Sequence, residues 1–477
     1  MSVIKSPILM AGQLPPYNIS QSIRFNSADS AYMHRTPSSS GNRKTFTSSC
    51  WVKLGDALDS SFSCALPMPT VAQTASYGMY LSGNDIQIFI YYTGSAWQGQ
   101  LYTNRKFRDP SAWFHFVLVV DTTQAVPTER VRFYINGTRE TDWQIENYPN
   151  QNQDTDWNNS GEKMGIGVNA NGFGGSFGEY YAAEMVYIDG TAYGPENFGE
   201  TNSSGIWVPK DVSGLSFGTN GFHIDGRDAS DLGDDESGQG NDFTVVNLAS
   251  HDQVLDSPTN NFAVMNPVDA DGLGSNELTG GNLQVKNINR IRSSIPFPTS
   301  GKWYWEICTV SNGGQVNWNY GMVYFKDQAE PLLTNVDFIR LNWYHGSNFS
   351  SSSNWTDGDF WTNSNNPSAG DIYGFAWDSN TKKVWLAKNN TYFGSGNPAG
   401  NSGTPWGSGG TAGVEYGIAM YSTQNFIHTI NFGQDDSFNG AKTSGSASAS
   451  DDNGNGRFFY APPTGFLSLC TKNLGAE

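Results

Sequence analysis

Short runs of β-branched and aromatic residues, each stopped by a turn signal, recur along this chain, and that rhythm constrains its fold more than any other feature. Arg130-Val-Arg-Phe-Tyr-Ile-Asn136-Gly137 alternates and then stops at Asn-Gly, whose backbone suits the tight turn of a β-hairpin. Phe46-Thr-Ser-Ser-Cys-Trp-Val-Lys alternates as well, and Asp85-Ile-Gln-Ile-Phe-Ile-Tyr-Tyr and Trp113-Phe-His-Phe-Val-Leu-Val-Val-Asp121 are dense β-forming runs. Tyr181-Ala-Ala-Glu-Met-Val-Tyr-Ile ends in Asp189-Gly190. Later come Gly301-Lys-Trp-Tyr-Trp-Glu-Ile-Cys308, then Ile372-Tyr-Gly-Phe-Ala-Trp-Asp378 and Val384-Trp-Leu-Ala-Lys388 about a turn. Phe426-Ile-His-Thr-Ile-Asn-Phe432 and Gly465-Phe-Leu-Ser-Leu-Cys470 close the series. No long stretch keeps apolar residues at helical spacing; Pro195-Glu-Asn-Phe predicts a single helical turn with Pro at its first position. The reading is all-β: two antiparallel β-sandwich (jelly-roll-like) domains joined by a loop-rich connector.

Composition agrees. The chain has 477 residues, 54 of them Gly, with 14% aromatic but only 15% charged; a disordered acidic chain would lack the aromatics. The net charge of −18 opposes binding to a phosphate backbone, which needs clustered Lys and Arg. No basic run exceeds Arg43-Lys44 or Lys382-Lys383, so no nucleic-acid partner is expected. The N-terminal apolar stretch is broken by Lys5 and Pro7, short of the ~7–15 apolar residues of a signal peptide, and nothing approaches a membrane span. The expectation is a soluble chain made in the cytoplasm, with no membrane insertion.

Residues 1–22 read as an extended attachment arm, since Pro7, Pro15 and Pro16 disfavour helix while Ile4, Ile8, Leu9, Met10 and Leu14 supply apolar anchors. Residues 23–200 form the first sandwich, 201–275 a connector packed across it, 276–470 the second sandwich and 471–477 a tail. The cysteines, Cys50, Cys64, Cys308 and Cys470, have neither metal spacing nor a disulfide framework; Cys50, Cys308 and Cys470 read as buried strand residues, and a Cys50–Cys64 bridge has no support.

Candidate chemistry is sparse. Gly174-Gly-Ser-Phe-Gly178 matches a nucleophile-elbow string, but the elbow needs a strand, a sharp turn and a helix, and here a β-strand follows. Asp225, Asp228, Asp231, Asp234, Asp235 and Glu236 could offer oxygens to calcium but lack EF-hand spacing; turn-capping Asp is the favoured reading. The six histidines stand alone in sequence, and His115 and His428 read as structural. No catalytic residue, metal or cofactor is expected. The remaining candidates are aromatic. Trp318, Trp343, Tyr344, Trp355 and Trp361 lie in an Asn/Ser/Gly-rich stretch, and Trp97, Trp157, Tyr180 and Tyr181 occur in similar contexts. Such rings could stack on a sugar while amides bond its hydroxyls, or they could pack a sandwich edge.

Two resemblances sharpen the reading. Ser22-Ile-Arg-Phe-Asn-Ser-Ala-Asp-Ser-Ala-Tyr, Cys50-Trp-Val-Lys, Phe133-Tyr-Ile-Asn-Gly, Ala183-Glu-Met-Val-Tyr-Ile-Asp-Gly and Asp256-Ser-Pro-Thr-Asn resemble concanavalin A-like (laminin G-type) modules in structural proteins of tailed bacteriophages. Gly301-Lys-Trp-Tyr-Trp-Glu-Ile, Tyr373-Gly-Phe-Ala-Trp-Asp, Val384-Trp-Leu-Ala-Lys-Asn-Asn, Ile430-Asn-Phe-Gly and Pro462-Pro-Thr-Gly-Phe resemble a SPRY domain; the candidate aromatics would then sit in its loops. These resemblances imply a virion protein, a short tail fibre or adhesin binding a host-surface glycan or protein, with a capsid-decorating or head-fibre protein as the alternative. They imply other virion proteins as partners and a homo-oligomer, commonly a trimer. Glucanases of the concanavalin A-like fold place Glu-x-Asp-x-(x)-Glu along one strand so that the carboxylates share a face. That string is missing, and Glu184 and Asp189 are five apart, so glycan hydrolysis is disfavoured.

Overall fold

The computed structural model describes residues 17–55, 63–65, 70–71, 78–91, 96–168, 177–271, 273, 277–288, 290–311, 318–324, 338–344, 347–351, 355–357, 367–409, 415–422, 426–443 and 449–475. Of residues 63–65, 70–71, 271, 290, 318–324, 338–344, 347–351, 355–357 and 421–422 only the backbone is described. The chain divides into two compact units, one of Gln13–Thr259 and one that holds Asn260–Glu477. Both are built of antiparallel sheets, as the alternation predicts, and helices among the described residues are single turns, including the expected one at Pro195–Asn197.

In the Gln13–Thr259 unit the large sheet is centred on Thr45–Leu54, antiparallel to Trp113–Asp121 on one side and Tyr180–Asp189 on the other. Val131–Ile135 and Thr138–Arg139 extend it beyond the first, and Ser22–Phe25 and Gln253–Val254 beyond the second. Asn136 and Gly137 take positive φ of 48° and 76° between the paired strands, the two left-handed residues of a tight hairpin turn. A second sheet runs in the order Trp143–Asn147, Gln100–Thr103, Asp85–Phe89, Gly78–Ser82, Ser63–Ala65. Alternate residues of the two sheets form one core: Phe46, Cys50, Val52, Phe116 and Leu118 from the first, Met79, Leu81, Ile86, Ile88 and Leu101 from the second. Burying them removes apolar surface from water at roughly 25 cal/mol per Å².

The other face of the large sheet is covered too. Val117, Val119, Val186 and Ile188 pack against Phe198, Val212 and Phe217. Burial on both faces explains why the Trp113–Asp121 and Tyr180–Asp189 strands lack a polar alternation, the pattern of a sheet sealed on both sides. Phe198 and residues 201–259, the part of the 201–275 connector that belongs to this unit, supply this cover; Phe222–Ile224 pairs directly with Tyr180–Asp189.

In the other unit, Lys302–Ser311 lies between Ile372–Asp378 and Ile427–Asn431 in a sheet of nine strands among the described residues. A second sheet, of six strands among the described residues, contains Tyr416–Ser422, and Trp377 meets Tyr416 edge-on at 5.8 Å. Trp305 stacks on Phe375 at 5.0 Å. Glu306 is fully buried, yet four donors converge on it: the Tyr460 N–H and Tyr304 O–H reach Oε1 at 2.8 and 3.2 Å, the Phe459 N–H and Asn431 Nδ2 reach Oε2 at 2.9 and 3.3 Å. Asn431 also accepts the N–H groups of Gly433 and Asp435, so the Ile430-Asn-Phe-Gly motif is an anchor for backbone.

Two expectations need correction. Gly465–Cys470 is not a strand; it makes only isolated pairs, Leu467 with Trp303 and Cys470 with Phe262. Its Ser468 N–H goes to the Asp451 carboxylate at 2.8 Å rather than to a ladder. Trp157, Tyr180 and Tyr181 are not exposed; they are 0–1% accessible, with Trp157 stacked on Phe46 at 5.0 Å. Cys50, Cys308 and Cys470 are buried and free, and burial pushes the Cys308 thiol to about 12 and the Cys470 thiol to about 11. Cys50 is therefore in no bridge with Cys64.

Candidate functional site

The aromatic residues expected to bind ligand fall into three groups. Trp318, Trp343, Tyr344 and Trp355 lie on strands rather than in loops, with Trp318 opposite Trp343 in register. Their Asn, Ser and Gly neighbours resemble loop sequence, but ladder pairing overrides that local preference. Trp361 lies outside the described residues, as do Ile4, Ile8, Leu9, Met10 and Leu14 of the arm and Ser176 of the Gly-x-Ser-x-Gly string. Trp97 is half-buried and belongs to the site that follows.

That site is the outer face of the second sheet in the Gln13–Thr259 unit. Since Met79, Leu81, Ile86, Ile88 and Leu101 point into the core, the alternate residues point outward. Register places Tyr80, Gln87, Tyr102 and Ile145 in one cross-strand row and Phe89, Gln100 and Asn147 in the next. Phe89 is the hub: its ring centroid lies 5.8 Å from Tyr80, 5.6 Å from Tyr102 and 4.7 Å from Trp97. Tyr80 is buried at the floor, whereas Phe89, Trp97 and Tyr102 are half-buried and Ile145 is exposed. Amides frame the rings. Gln100 Nε2 donates to the Tyr102 hydroxyl at 2.7 Å and Asn147 Nδ2 to the Trp97 carbonyl at 2.7 Å. The result is an apolar ring surface ringed by neutral donors and acceptors, suited to a ligand that is itself apolar on a face and hydroxylated at its rim. Sequence reasoning found Trp97 but missed Tyr80, Phe89 and Tyr102; the signal was there in Gly78-Met-Tyr-Leu-Ser, Asp85-Ile-Gln-Ile-Phe and Gln100-Leu-Tyr-Thr, where aromatics occupy the solvent-side positions.

A serine and a histidine meet on the opposite sheet. Ser49 Oγ is 2.9 Å from His115 Nε2, and Trp207 Nε1 is 2.9 Å from His115 Nδ1. An indole N–H can only donate, so Nδ1 accepts and, in the neutral ring, Nε2 holds the proton. Burial lowers the His115 pKa to about 3, which keeps the ring neutral. Nε2 therefore donates to Ser49 and cannot take its proton as a general base must. The arrangement is a structural relay under Trp51, whose ring stacks on His115 at 4.6 Å.

Glu184 marks a bulge in the Tyr180–Asp189 strand, where the register with Thr45–Leu54 shifts. Its φ of 49° is costly for a residue with a side chain. His223 Nε2 lies 2.7 Å from Glu184 Oε2 and the Tyr17 hydroxyl donates to Oε1 at 3.3 Å. Burial pulls the His223 pKa down, but Glu184 outweighs it through hydrogen bond and charge, leaving the imidazole above its usual value. In the acidic loop the carboxylates cap turns. Asp225 accepts from the Arg227 N–H, Asp228 from Ser230, Asp231 from Gly233, and Asp235 from the N–H groups of His223, Ser237 and Asn241. Among the described residues no three His, Cys, Asp or Glu side chains converge on a metal position.

Comparison with known proteins bears on this unit. Residues 26–181 match the family model for the concanavalin A-like lectin/glucanases superfamily, so this part of the chain has a concanavalin A-like β-sandwich fold, and it contains the whole aromatic face. No curated protein sequence matches the chain. Among solved structures, the SPRY domain of human HERC1 is similar at 16% identity, covering 35% of this chain and 96% of that one with a TM-score of 0.23. A heptameric SAP-like pentraxin from Limulus polyphemus is similar at 14% identity, covering 37% and 79% with a TM-score of 0.27. Likenesses this distant assign no ligand.

Proposed function

We propose that this chain is a non-enzymatic adhesin of a tailed-bacteriophage virion that binds a neutral host-surface glycan on the Phe89–Trp97–Tyr102 face. The observation that carries the reading is that face itself: half-buried Trp97 and Tyr102 about a half-buried hub, Phe89, edged by Gln87, Gln100 and Asn147, on a concanavalin A-like sandwich. Rings can cover the apolar side of a pyranose while amides bond its hydroxyls, at low entropic cost because both are already held. The Glu-x-Asp-x-(x)-Glu string that glucanases of this fold carry is missing from the sequence, which supports a binding role over hydrolysis. The virion setting, partners in the particle and a homo-oligomeric state rest on the sequence resemblance.

The test is an array of neutral and acidic oligosaccharides probed with the full chain, followed by titration of any hit. Trp97→Ala should weaken binding about tenfold, corresponding to ~1.4 kcal/mol, with an unchanged far-ultraviolet spectrum. Purified protein should also compete with adsorption of particles to host cells. Binding unaffected by Trp97→Ala and Phe89→Ala would refute the site. Particles that lose heat resistance without this chain, yet adsorb normally, would make it a shell-reinforcing protein instead.

A further inference from the structure

On the large sheet of the Gln13–Thr259 unit, Tyr181, Lys53 and Trp113 stand side by side on three adjacent strands, on the face away from the core. Asp256, just beyond Gln253–Val254, is laid against them. Lys53 Nζ lies 2.7 Å from Asp256 Oδ2, and both side chains are 0% exposed. Trp113 Nε1 donates to the other oxygen, Oδ1, at 2.9 Å. Nζ is 5.7 Å from the centre of the Tyr181 ring, and Ser22 Oγ holds the Asp256 carbonyl at 2.6 Å. Among the described residues no other lysine is buried.

An ammonium and a carboxylate sealed away from water are each poorly solvated, and passing one proton between them leaves an amine and an acid that need far less solvation. Burial favours that exchange from the lysine side, pulling its pKa down against the pull of Asp256 and Asp109. A neutral amine touching a neutral acid, with a donor already on the second oxygen, is the ground state of amide condensation. We propose that Lys53 and Asp256 join in an intramolecular isopeptide bond.

The step balances without a co-reactant. Lys53 Nζ attacks Asp256 Cγ, and charge develops on Oδ1, where the Trp113 N–H meets it as an oxyanion donor would. The Cγ–Oδ2 bond then breaks, and Oδ2 leaves as water with the acid proton and one amine proton. The product is a secondary amide linking the central strand of the large sheet to the segment that closes the unit, across 203 positions of sequence. Its proximity is supplied by the fold, which holds the two groups in contact at high effective concentration.

The experiment is intact-mass measurement and peptide mapping of the full chain under denaturing, reducing conditions. The expected mass is one water below the sum of the sequence, with one branched peptide joining the segments around Lys53 and Asp256. Lys53→Arg, which keeps the charge but cannot give this amide, should regain the water and lose the branched peptide. Asp-Gly sites can also shed water by cyclising, so the branched peptide, rather than mass alone, decides. Lys53 and Asp256 recovered in separate linear peptides from the wild-type chain would overturn the proposal and leave an ordinary buried ion pair; that outcome does not depend on any variant folding.

Discussion

Glu306 should make the stability of its unit fall as pH rises from mildly acid to neutral. Burial pushes its pKa from 4.5 up to about 7, against the pull of the Tyr460 and Phe459 N–H groups, Asn431 and Tyr304. The folded state therefore holds this proton more tightly than the unfolded chain. The stabilisation is fully present below pH 4.5 and is lost as pH rises through 7, a change worth about 3 kcal/mol. His428, in the same unit, works in the opposite sense. Burial lowers its pKa to about 3, so the unfolded chain binds more protons between that value and its ordinary 6.5, and stability climbs with pH there. Because the two slopes overlap, the diagnostic quantity is a difference between wild type and Glu306→Gln, which removes one titration and leaves the other. The new side chain also sets an amide N–H against one pair of converging donors; Tyr304 can turn to accept, but a backbone N–H stays unsatisfied. That penalty, about 1–3 kcal/mol, does not change with pH. Urea unfolding followed by the fluorescence of buried Trp303, Trp305, Trp377 and Trp385, repeated from pH 4.5 to 8, should give a difference that falls by about 3 kcal/mol. A flat difference would refute the reasoning.

Two further outcomes follow from the Gln13–Thr259 unit. Nitrogen-detected magnetic resonance of His115 should show a neutral ring protonated at Nε2 down to pH 5, and Trp207→Phe should shift the Nδ1 resonance by removing its donor; an imidazolium signal at pH 6 would contradict the relay. Gly137→Ala should cost at least about 1 kcal/mol in thermal unfolding, because φ is 76° and the new Cβ would lie 2.5 Å from the Trp207 ring; a neutral substitution would show that this turn is more pliable than its packing implies.

Strands and turns were legible because they are written locally: alternation sets a face, and Asn136-Gly137 sets a hairpin. Burial was less legible. Trp157 sits among Asp, Asn and Ser, a loop context, yet it is covered because Phe46 from a distant strand lies flat against it. The role of Glu306 was hidden because its donors come from Asn431, Phe459 and Tyr460, far along the chain. Lys53 and Asp256 give no hint of each other, since a single charge in an alternating strand ordinarily faces water. The aromatic face was recoverable from the same alternation that revealed the strands, had its outward positions been read for chemistry as well as polarity.

The pairing of Ser22 with Val254 and Ile23 with Gln253 sets how the Gln13–Thr259 unit meets mechanical load. Its first and last strands run antiparallel as neighbours, so a pull on its two ends would open their backbone bonds one after another, like a zipper, rather than shearing them all together. Tension entering at the Thr259 end meets Asp256 and its grip on Lys53 before it reaches Val254, which makes this pair the clasp on which the unit's resistance to stretching turns.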